Sequence, residues 1–458
     1  MSINVSKEVF KQYDIRGIVG KGIDKEFAQN LGKAFGSYIQ QYNLKQVIVG
    51  HDCRESSEEL SEGLIEGLVS TGVEVKDIGL ATTPMVSYSR KLLKIGPAIQ
   101  ITASHNPKEY NGFKMYIEES EEVIYGNRIL EIYDFTVKGE FLSGEGTVEK
   151  VSIIEQYMEE IVKRIELKNK NIKVVVDCGN ATASIVSAEV LERLGVEVIQ
   201  LYCDIDPSFP NHHPDPGEAK NMVDLSKKVQ EIGADVGFGF DGDGDRIGVV
   251  DEKGNLILGD DYMRIMWREI IKRYPHSKAL VEVKCSQNLW NDLEELGAKP
   301  EFIRTGSPYI KAAVKEKNIP FSGETSGHMY FRDEYYGFDD ALYAAARFLR
   351  VMSDGNKKVS EMLGKKEYAA ASELNKPVEE SSKFEIVDKA VKYFKDLGYK
   401  VIDIDGARVV FEDGWGLVRA SNTTPVLTLR FEAKTQEGLE RIQKEFDTMF
   451  AKIMPISQ

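Results

Sequence analysis

The sequence is poor in cysteine, with four in 458 residues. None of the four lies in a CxxC pair or another spacing typical of a metal site. These two absences exclude a small extracellular scaffold held by disulfides and a zinc site built on cysteine thiolates. We expect reduced, mostly buried thiols at all four positions: Cys53, Cys178, Cys203 and Cys285.

Long apolar runs are also missing. The N-terminal MSINVSKEVFKQYD has no signal-peptide core, and no stretch approaches the length of a membrane span. We therefore expect no membrane partner and a cytoplasmic location. Positive charge is in deficit too, because 59 Lys and Arg face 74 Asp and Glu, a formal net charge of −15. Such an acidic surface repels polyanions, so we expect no nucleic-acid partner.

The sequence does contain a repeated order of strand and helix. Three β-rich apolar runs each reach a cysteine: QVIVGHDC (46–53), KVVVDC (173–178) and ALVEVKC (279–285). Each is followed by a helix-like segment and a second apolar run, at 68–79, 191–202 and 293–304. One such pair could be a chance similarity between Leu-Gly-Val turns. Three in the same order predict a triplicated α/β domain with a sheltered sheet.

The third strand of each repeat ends in a polar loop. These loops are TASHNP (102–107), DGDGDR (241–246) and GETSGH (323–328). Ligands of α/β sheets gather outside the carboxyl ends of the strands, so we expect all three loops to face one cleft.

The remainder, from 371 onward, predicts short strands in antiparallel hairpins, a strand at 426–433 and a closing helix. The predicted fold class is three similar mixed α/β domains plus a C-terminal α+β domain around a central cleft. The expected domain limits are 1–150, 151–253, 254–368 and 369–458.

The DGDGDR loop predicts a cation site. Asp241, Asp243 and Asp245 alternate with glycine, so their carboxylates can converge on one hard cation, and without a cation they would repel one another. We interpret the loop as a Mg²⁺ site. A calcium loop of EF-hand type is the alternative, since Glu252 falls at the twelfth position. Arg246 at the sixth position, where that loop needs glycine, argues against it.

The TASHNP loop offers a nucleophile. A serine hydroxyl needs a base or a metal to react, and His105 lies directly after Ser104. Lys114 in YNGFK could act as an acid or base or pair with phosphate. No Gly-x-Ser-x-Gly elbow is present, which argues against acyl transfer. With three carboxylates available for a metal, phosphoryl transfer fits better.

Further polar positions are typical of phosphate and sugar binding. Arg16 precedes a glycine at the end of an apolar stretch, which suits phosphate capture. The RASNTTP loop has the composition of a phosphate-binding nest, with Arg419, Ser421, Asn422 and Thr423. The GETSGH loop can donate to and accept from sugar hydroxyls through Glu324, Ser326 and His328.

Taken together, TASHNP, DGDGDR, GETSGH and RASNTTP resemble the α-D-phosphohexomutase superfamily, most closely its phosphomannomutase/phosphoglucomutase branch, over essentially the full chain. The resemblance implies that Ser104 is a phosphoserine and that Mg²⁺ is held by its phosphate with Asp241, Asp243 and Asp245. It also implies a phosphorylated hexose substrate, and glucose 1,6-bisphosphate or mannose 1,6-bisphosphate as intermediate and activator. We expect a monomer or weak dimer.

The resemblance also implies roles for the other positions. Arg246 and Lys284 would lie beside the transferring phosphate, and Tyr13, Arg16, His105 and Lys114 would complete the catalytic site. Glu324 and Ser326 would bind sugar O3 and O4, while Arg419, Ser421, Asn422 and Thr423 would hold the phosphate that does not react. One departure is Ser307 in RTGSPYI, near which better-known members carry histidine, so the choice between glucose and mannose stays open.

Three other functions stay open as alternatives. Phosphoglucosamine mutase shares the mechanism, but that branch typically has a Ser-Gly-Thr-Glu-Pro type of phosphate loop where this chain has SNTTP (421–425). A metal-dependent sugar phosphatase that passes through a phosphoserine would release phosphate without isomerisation. A non-enzymatic calcium or sugar-phosphate sensor would bind metal without turnover.

Overall fold

A computed structural model describes residues 5–118, 124–355, 357–370, 373–421 and 424–454. The described residues form two compact units. The first comprises Met1–Gly259 and Ser326–Met362, and the second Asp260–Thr325 and Leu363–Gln458. Within these described ranges, no helix combines the length and the apolar character that crossing a membrane requires.

The first sheet of the first unit carries the TASHNP loop. Its strands are β1 (Ile15–Ile18), β2 (Gln46–His51), β3 (Glu74–Leu80), β4 (Ala98–Ile101), β5 (Tyr110–Tyr116) and β6 (Val148–Lys150). Its helices are α1 (Lys25–Gln40), α2 (Ser57–Val69), α3 (Thr83–Leu93) and α4 (Asn127–Lys138). The strand order is β1-β5-β4-β2-β3-β6, with β2 parallel to β3 and β4. Val47, Ile48 and Val49 are fully buried, as expected of a strand that is covered on both faces.

The second sheet carries the DGDGDR loop. Its elements are α5 (Ile154–Val162), β7 (Lys173–Asp177), α6 (Ser187–Arg193), β8 (Glu197–Leu201), α7 (Val223–Ile232), β9 (Val236–Phe240), β10 (Ile247–Asp251) and β11 (Leu256–Ile257). The order is β11-β10-β9-β7-β8. As in the first sheet, the first strand of the repeat lies between the second and third, parallel to both. Two of the three predicted βαβ repeats are therefore present in these two sheets.

The third repeat is divided between the two units. Its elements are α8 (Gly259–Ile270), β12 (Lys278–Glu282), α9 (Gln287–Glu295), β13 (Lys299–Ile303), α10 (Ser307–Glu316), β14 (Phe321–Gly323), β15 (Met329–Phe331), α11 (Ala341–Gly355) and α12 (Val359–Met362). In the second unit, β12 runs parallel to β13. The residues from Ser326 belong to the first unit, where Phe348 of α11 packs edge-on against Phe238 of β9 with ring centroids 5.9 Å apart.

The C-terminal part is an antiparallel α+β arrangement, as predicted. Its elements are β16 (Ala369–Ala370), β17 (Leu374–Pro377), α13 (Lys383–Asp396), β18 (Lys400–Ile402), β19 (Ala407–Val410), β20 (Gly414–Ala420), β21 (Val426–Ala433) and α14 (Gln436–Ile453). The strand order is β16-β21-β20-β19-β18, and β17 also pairs with β21. The two helices meet through Phe394 and Phe446, with ring centroids 4.8 Å apart. The helix α13 was not predicted from the sequence.

Candidate active site

The DGDGDR loop connects β9 to β10 in a tight turn that buries three carboxylates. Gly244 has a φ of +75°, in the left-handed region that favours glycine. The backbone N–H groups of Asp245 and Arg246 donate to Asp241 Oδ1 at 3.0 and 3.1 Å. The three aspartates are at most 1% exposed, and each offers an oxygen within 4.8 Å of the others.

The arrangement of these carboxylates fits a cation. Burial, together with the charges of Asp245 and Asp243, raises the pKa of Asp241 well above its usual range. The Oδ1 atoms of Asp243 and Asp245 are buried and accept no hydrogen bond within the described part of the chain. Buried carboxylate oxygens without partners are costly unless a positive charge is close. An oxygen-lined site of this kind suits a hard divalent ion such as Mg²⁺.

Lys114 of β5 supplies positive charge to the same carboxylates. Its Nζ lies 2.7 Å from Asp243 Oδ2 and 2.6 Å from Asp245 Oδ2. Burial alone would lower the pKa of Lys114, but the charges of Asp243 and Asp245 outweigh burial and raise it well above its usual range. The side chain is therefore a lysine cation that neutralises part of the triad.

Ser104 places its hydroxyl against the triad. It follows β4 with a φ of +51°, a left-handed conformation uncommon for a residue with a Cβ, and its N–H donates to Thr102 Oγ1 at 2.8 Å. Its Oγ donates to Asp241 Oδ2 at 3.0 Å and lies 3.1 Å from His105 Nδ1. The backbone of the DGDGDR loop comes so close that a Cβ on Gly242 would lie 2.3 Å from the Ser104 carbonyl oxygen.

His105 is held uncharged beside that hydroxyl. Burial lowers its pKa well below the usual value, and the positive charges of Arg246 and Arg16 lower it further. A neutral imidazole within hydrogen-bond distance of a serine can take its proton. The predicted pairing of Ser104 with a base is thus geometrically possible in this loop.

Two arginines flank the serine. Arg16 Nη1 donates to Asn106 Oδ1 at 2.7 Å, and its Nη2 donates to Asp14 Oδ2 at 2.5 Å. Arg246 Nε donates to His328 Nε2 at 3.0 Å. Since Nε2 accepts, the proton of a neutral His328 lies on Nδ1, which is 3.1 Å from Asp339 Oδ2. His328 therefore orients Arg246.

Some residues at this site were not predicted from the sequence. Thr83, at the start of α3, donates its hydroxyl to Asp243 Oδ2 at 2.5 Å. Asp339 contacts His328, and His213 contacts the carbonyl of His105 through Nε2. These partners are far apart in the sequence and lie outside the polar loops, so no local pattern indicated them.

Of the predicted sugar-binding positions, the second unit holds Glu324, which lies beside the RTGSPYI loop. Glu324 is 2% exposed, and its Oε1 accepts from the N–H of Gly306 at 3.0 Å. Ser307 is the first residue of α10. Lys284, after β12, donates to Glu373 Oε2 at 3.3 Å. Burial opposes the charge of Lys284, but Glu282 and Glu373 outweigh it and raise its pKa.

The RASNTTP loop lies in the same unit. Arg419 Nε donates to Asp405 Oδ2 at 2.9 Å, and the same oxygen accepts from the N–H of Thr305 at 3.1 Å. Arg419 Nη2 is buried without a hydrogen-bond partner among the described residues. Ser421 is 8% exposed, whereas the predicted positions Asn422 and Thr423 lie outside the described residues.

The remaining predicted positions are Tyr13 and Ser326, both half-buried in the first unit. The first unit thus brings together the serine, the triad and their basic neighbours: Arg16, Ser104, His105, Lys114, Asp241, Asp243, Asp245, Arg246 and His328. The second unit holds the other described positions: Lys284, Ser307, Glu324, Arg419 and Ser421.

Comparison with known proteins gives consistent matches along the chain. Family models for phosphoglucomutase/phosphomannomutase match as alpha/beta/alpha domain I at residues 7–141, domain II at 155–254 and domain III at 258–368. The C-terminal domain of the same family matches at 373–449.

Individual relatives agree with the family models. A phosphomannomutase/phosphoglucomutase of Pseudomonas putida is 40% identical over 449 residues, covering 98% of this chain and 96% of the relative. A phosphoglucomutase of Neisseria gonorrhoeae is 36% identical, covering 97% and 96%. The crystal structure of a phosphoglucomutase/phosphomannomutase family protein from Burkholderia thailandensis is 38% identical, with a TM-score of 0.93 and 99% of each chain covered. The chain therefore belongs to the phosphoglucomutase/phosphomannomutase family.

Proposed function

We propose that this chain moves a phosphoryl group between O1 and O6 of a hexose, glucose or mannose, through a phosphoserine at Ser104. The proposal rests on the 3.0 Å hydrogen bond from Ser104 Oγ to Asp241, one of three buried carboxylates that fit a cation. Relatives named phosphomannomutase and phosphoglucomutase support a mutase of these two sugars.

The residues of the first unit supply the chemistry at the serine. Asp241, Asp243 and Asp245 would hold Mg²⁺, which, when bound, neutralises charge on the transferring phosphoryl group. Lys114 and Arg246 add positive charge at the same place, where charge develops in the transition state. His105, neutral and 3.1 Å from Ser104 Oγ, takes or returns the proton of the serine hydroxyl.

The residues of the second unit bind the rest of the substrate in this proposal. Glu324 accepts from sugar hydroxyls, while Arg419 and Ser421 bind the phosphate that does not react. Arg419 Nη2 is buried and has no hydrogen-bond partner among the described residues, which supports that role, because a buried guanidinium N–H needs an acceptor. The intermediate is glucose 1,6-bisphosphate or mannose 1,6-bisphosphate. The same bisphosphate, when added, phosphorylates a Ser104 that has lost its phosphate.

The test is a coupled assay with glucose 1-phosphate and mannose 1-phosphate, Mg²⁺ and a trace of glucose 1,6-bisphosphate. We expect rapid formation of the 6-phosphate from at least one sugar, and its loss in Ser104→Ala. The ratio of the two rates gives the sugar preference. Release of inorganic phosphate without isomerisation would contradict a mutase, and so would full activity in Ser104→Ala.

A further inference from the structure

Arg54 is a buried arginine whose hydrogen bonds converge on the loop that carries Ser104. It follows β2 and is 4% exposed. Its Nη2 donates to the carbonyl oxygens of Ser104 at 2.7 Å and Asn106 at 2.8 Å. Its Nη1 donates to the carbonyl oxygens of Pro107 at 2.8 Å and Tyr110 at 3.1 Å.

The fifth N–H donor of Arg54 is also in use. Nε donates to Asp52 Oδ2 at 3.1 Å, so all five donors of this guanidinium have acceptors. Asp52 is itself fixed: its N–H donates to the carbonyl of Ile101 at 2.9 Å, and its Oδ1 accepts from the hydroxyl of Ser57 at 2.5 Å. The guanidinium is therefore anchored between the end of β2 and the start of α2.

Arg54 gives the serine loop a defined main-chain path. The loop between β4 and β5 has no regular strand or helix, and Ser104 within it has the unfavourable φ of +51°. Without Arg54, the buried carbonyl oxygen of Ser104 and the partly buried carbonyl oxygens of Asn106 and Tyr110 would lose this donor, which is costly. The direction of Ser104 Oγ depends on that main chain.

Because all its donors are in use, Arg54 does not act as a phosphate-binding residue. A guanidinium with every N–H engaged by carbonyls and a carboxylate has no donor left for substrate. We propose that Arg54 is a positioning residue, which holds the loop at 104–110 so that Ser104 Oγ stays directed at the Asp241 carboxylate. The inference rests on the proposed function, because it assigns Arg54 to the transfer step at Ser104.

The test compares Arg54→Lys with Arg90→Lys. Arg90 is a matched control, since it is 3% exposed and also donates to main-chain carbonyls, those of Gly96 and Glu118, away from the serine loop. A lysine has three donors and cannot satisfy five acceptors. A misplacement of the reacting group by about 1 Å can cost on the order of 10² in rate. We expect Arg54→Lys to lower kcat about 100-fold with KM changed less than threefold, and Arg90→Lys to change kcat less than threefold.

A second readout follows phosphate on the serine directly. Intact mass after mixing with glucose 1,6-bisphosphate should show Arg54→Lys gaining phosphate much more slowly than wild type. Thermal melting shows whether Arg54→Lys folds. If it does not, Asp52→Asn, which keeps Arg54, serves as the test variant, and we expect it to lower kcat about tenfold. Wild-type kcat in both the Arg54 and Asp52 variants would overturn the inference, as would an equal loss in Arg90→Lys. An inactive wild-type enzyme would instead contradict the proposed function.

Discussion

At the scale of single residues, Lys114 links the stability of the triad to its chemistry. The lysine ammonium forms ion pairs with both Asp243 and Asp245 inside the protein. The carboxylates that would bind a metal cation are therefore already paired with one positive charge of the protein itself. Removing one partner of a buried ion pair leaves the other charge uncompensated.

We predict that Lys114→Met destabilises the protein by about 3–5 kcal/mol when EDTA removes divalent ions. Added Mg²⁺ should recover a large part of that loss, because the cation compensates the unpaired carboxylates. Urea unfolding with EDTA and with Mg²⁺ measures both values. The double variant with Asp243→Asn is the control, and it should be less sensitive to EDTA. An equal loss of stability in EDTA and in Mg²⁺ would contradict this account.

His212 makes stability depend on pH. Burial lowers the pKa of His212, but the hydrogen bond and charge of Asp177, 3.0 Å from Nε2, outweigh burial and raise it above the usual value. Because the pKa of His212 is higher in the folded state, protonated His212 stabilises the fold. This stabilisation is fully present below the unfolded-state pKa of about 6.5 and is lost as pH rises through the folded-state pKa.

We therefore predict that His212→Gln costs more stability at pH 5.5 than at pH 8.5. Thermal unfolding of wild type and variant across that range measures the difference. The exposed His276 offers the control variant His276→Asn. A difference that stays constant or widens with rising pH would show that the contact with Asp177 does not govern the pKa.

Proximity of side chains could be predicted from the sequence where the residues are close in the chain, and could not where they are far apart. The three aspartates lie within five positions and were found from their spacing. Arg54 was not, because the carbonyl groups that it binds are 50 to 56 positions away. A main-chain acceptor has no side-chain identity, so the sequence carries no pattern for such a contact.

At the scale of elements, α1 and α2 pack closely enough to require glycine. A Cβ on Gly67 would lie 2.0 Å from the carbonyl oxygen of Gln29, and one on Gly32 would lie 2.2 Å from that of Leu64. The two helix backbones are therefore in direct contact, and an added methyl group must separate them.

We predict that Gly67→Ala destabilises the protein by about 1–3 kcal/mol, the usual cost of overpacking, despite the higher helix propensity of alanine. The control is Gly355→Ala at the end of α11, where an added Cβ meets nothing within 4 Å. Urea unfolding should place Gly355→Ala close to wild type. Equal stability of the two variants would mean that the helices adjust at no cost.

Strands and helices could be predicted from the sequence where their burial requires a continuous run of apolar residues. The runs at 46–53 and 173–178 became β2 and β7 because strands buried on both faces need continuous apolar residues. The helix α13 was missed although Ile386, Ala390 and Phe394 are buried at helical spacing. Its many lysines and acidic residues on the other face obscure this apolar spacing.

At the scale of the whole molecule, the first unit is completed by a distant part of the chain. Residues 326–362 belong to it, although 66 residues of the second unit, Asp260–Thr325, precede them in the sequence. The contact of Phe348 with Phe238 indicates what this segment does, since it covers one face of the second sheet.

We predict that a chain ending at Gly259 melts non-cooperatively and binds a hydrophobic dye, because Phe238 and its neighbours lose the cover of α11. A chain ending at Met362 contains every residue of the first unit and should melt cooperatively. Calorimetry and dye fluorescence compare the two. A cooperative transition at the same temperature for both chains would show that α11 contributes little to this unit.

The division of the third repeat has a consequence for synthesis on the ribosome. The core that surrounds the first sheet lies within Val9–Ile132, so it can form while translation continues. Phe238 of the second sheet then stays exposed until α11, which includes Phe348, has left the ribosomal exit tunnel. During that interval an apolar surface is exposed to other nascent chains, so we expect the protein to need chaperones most at this stage of translation.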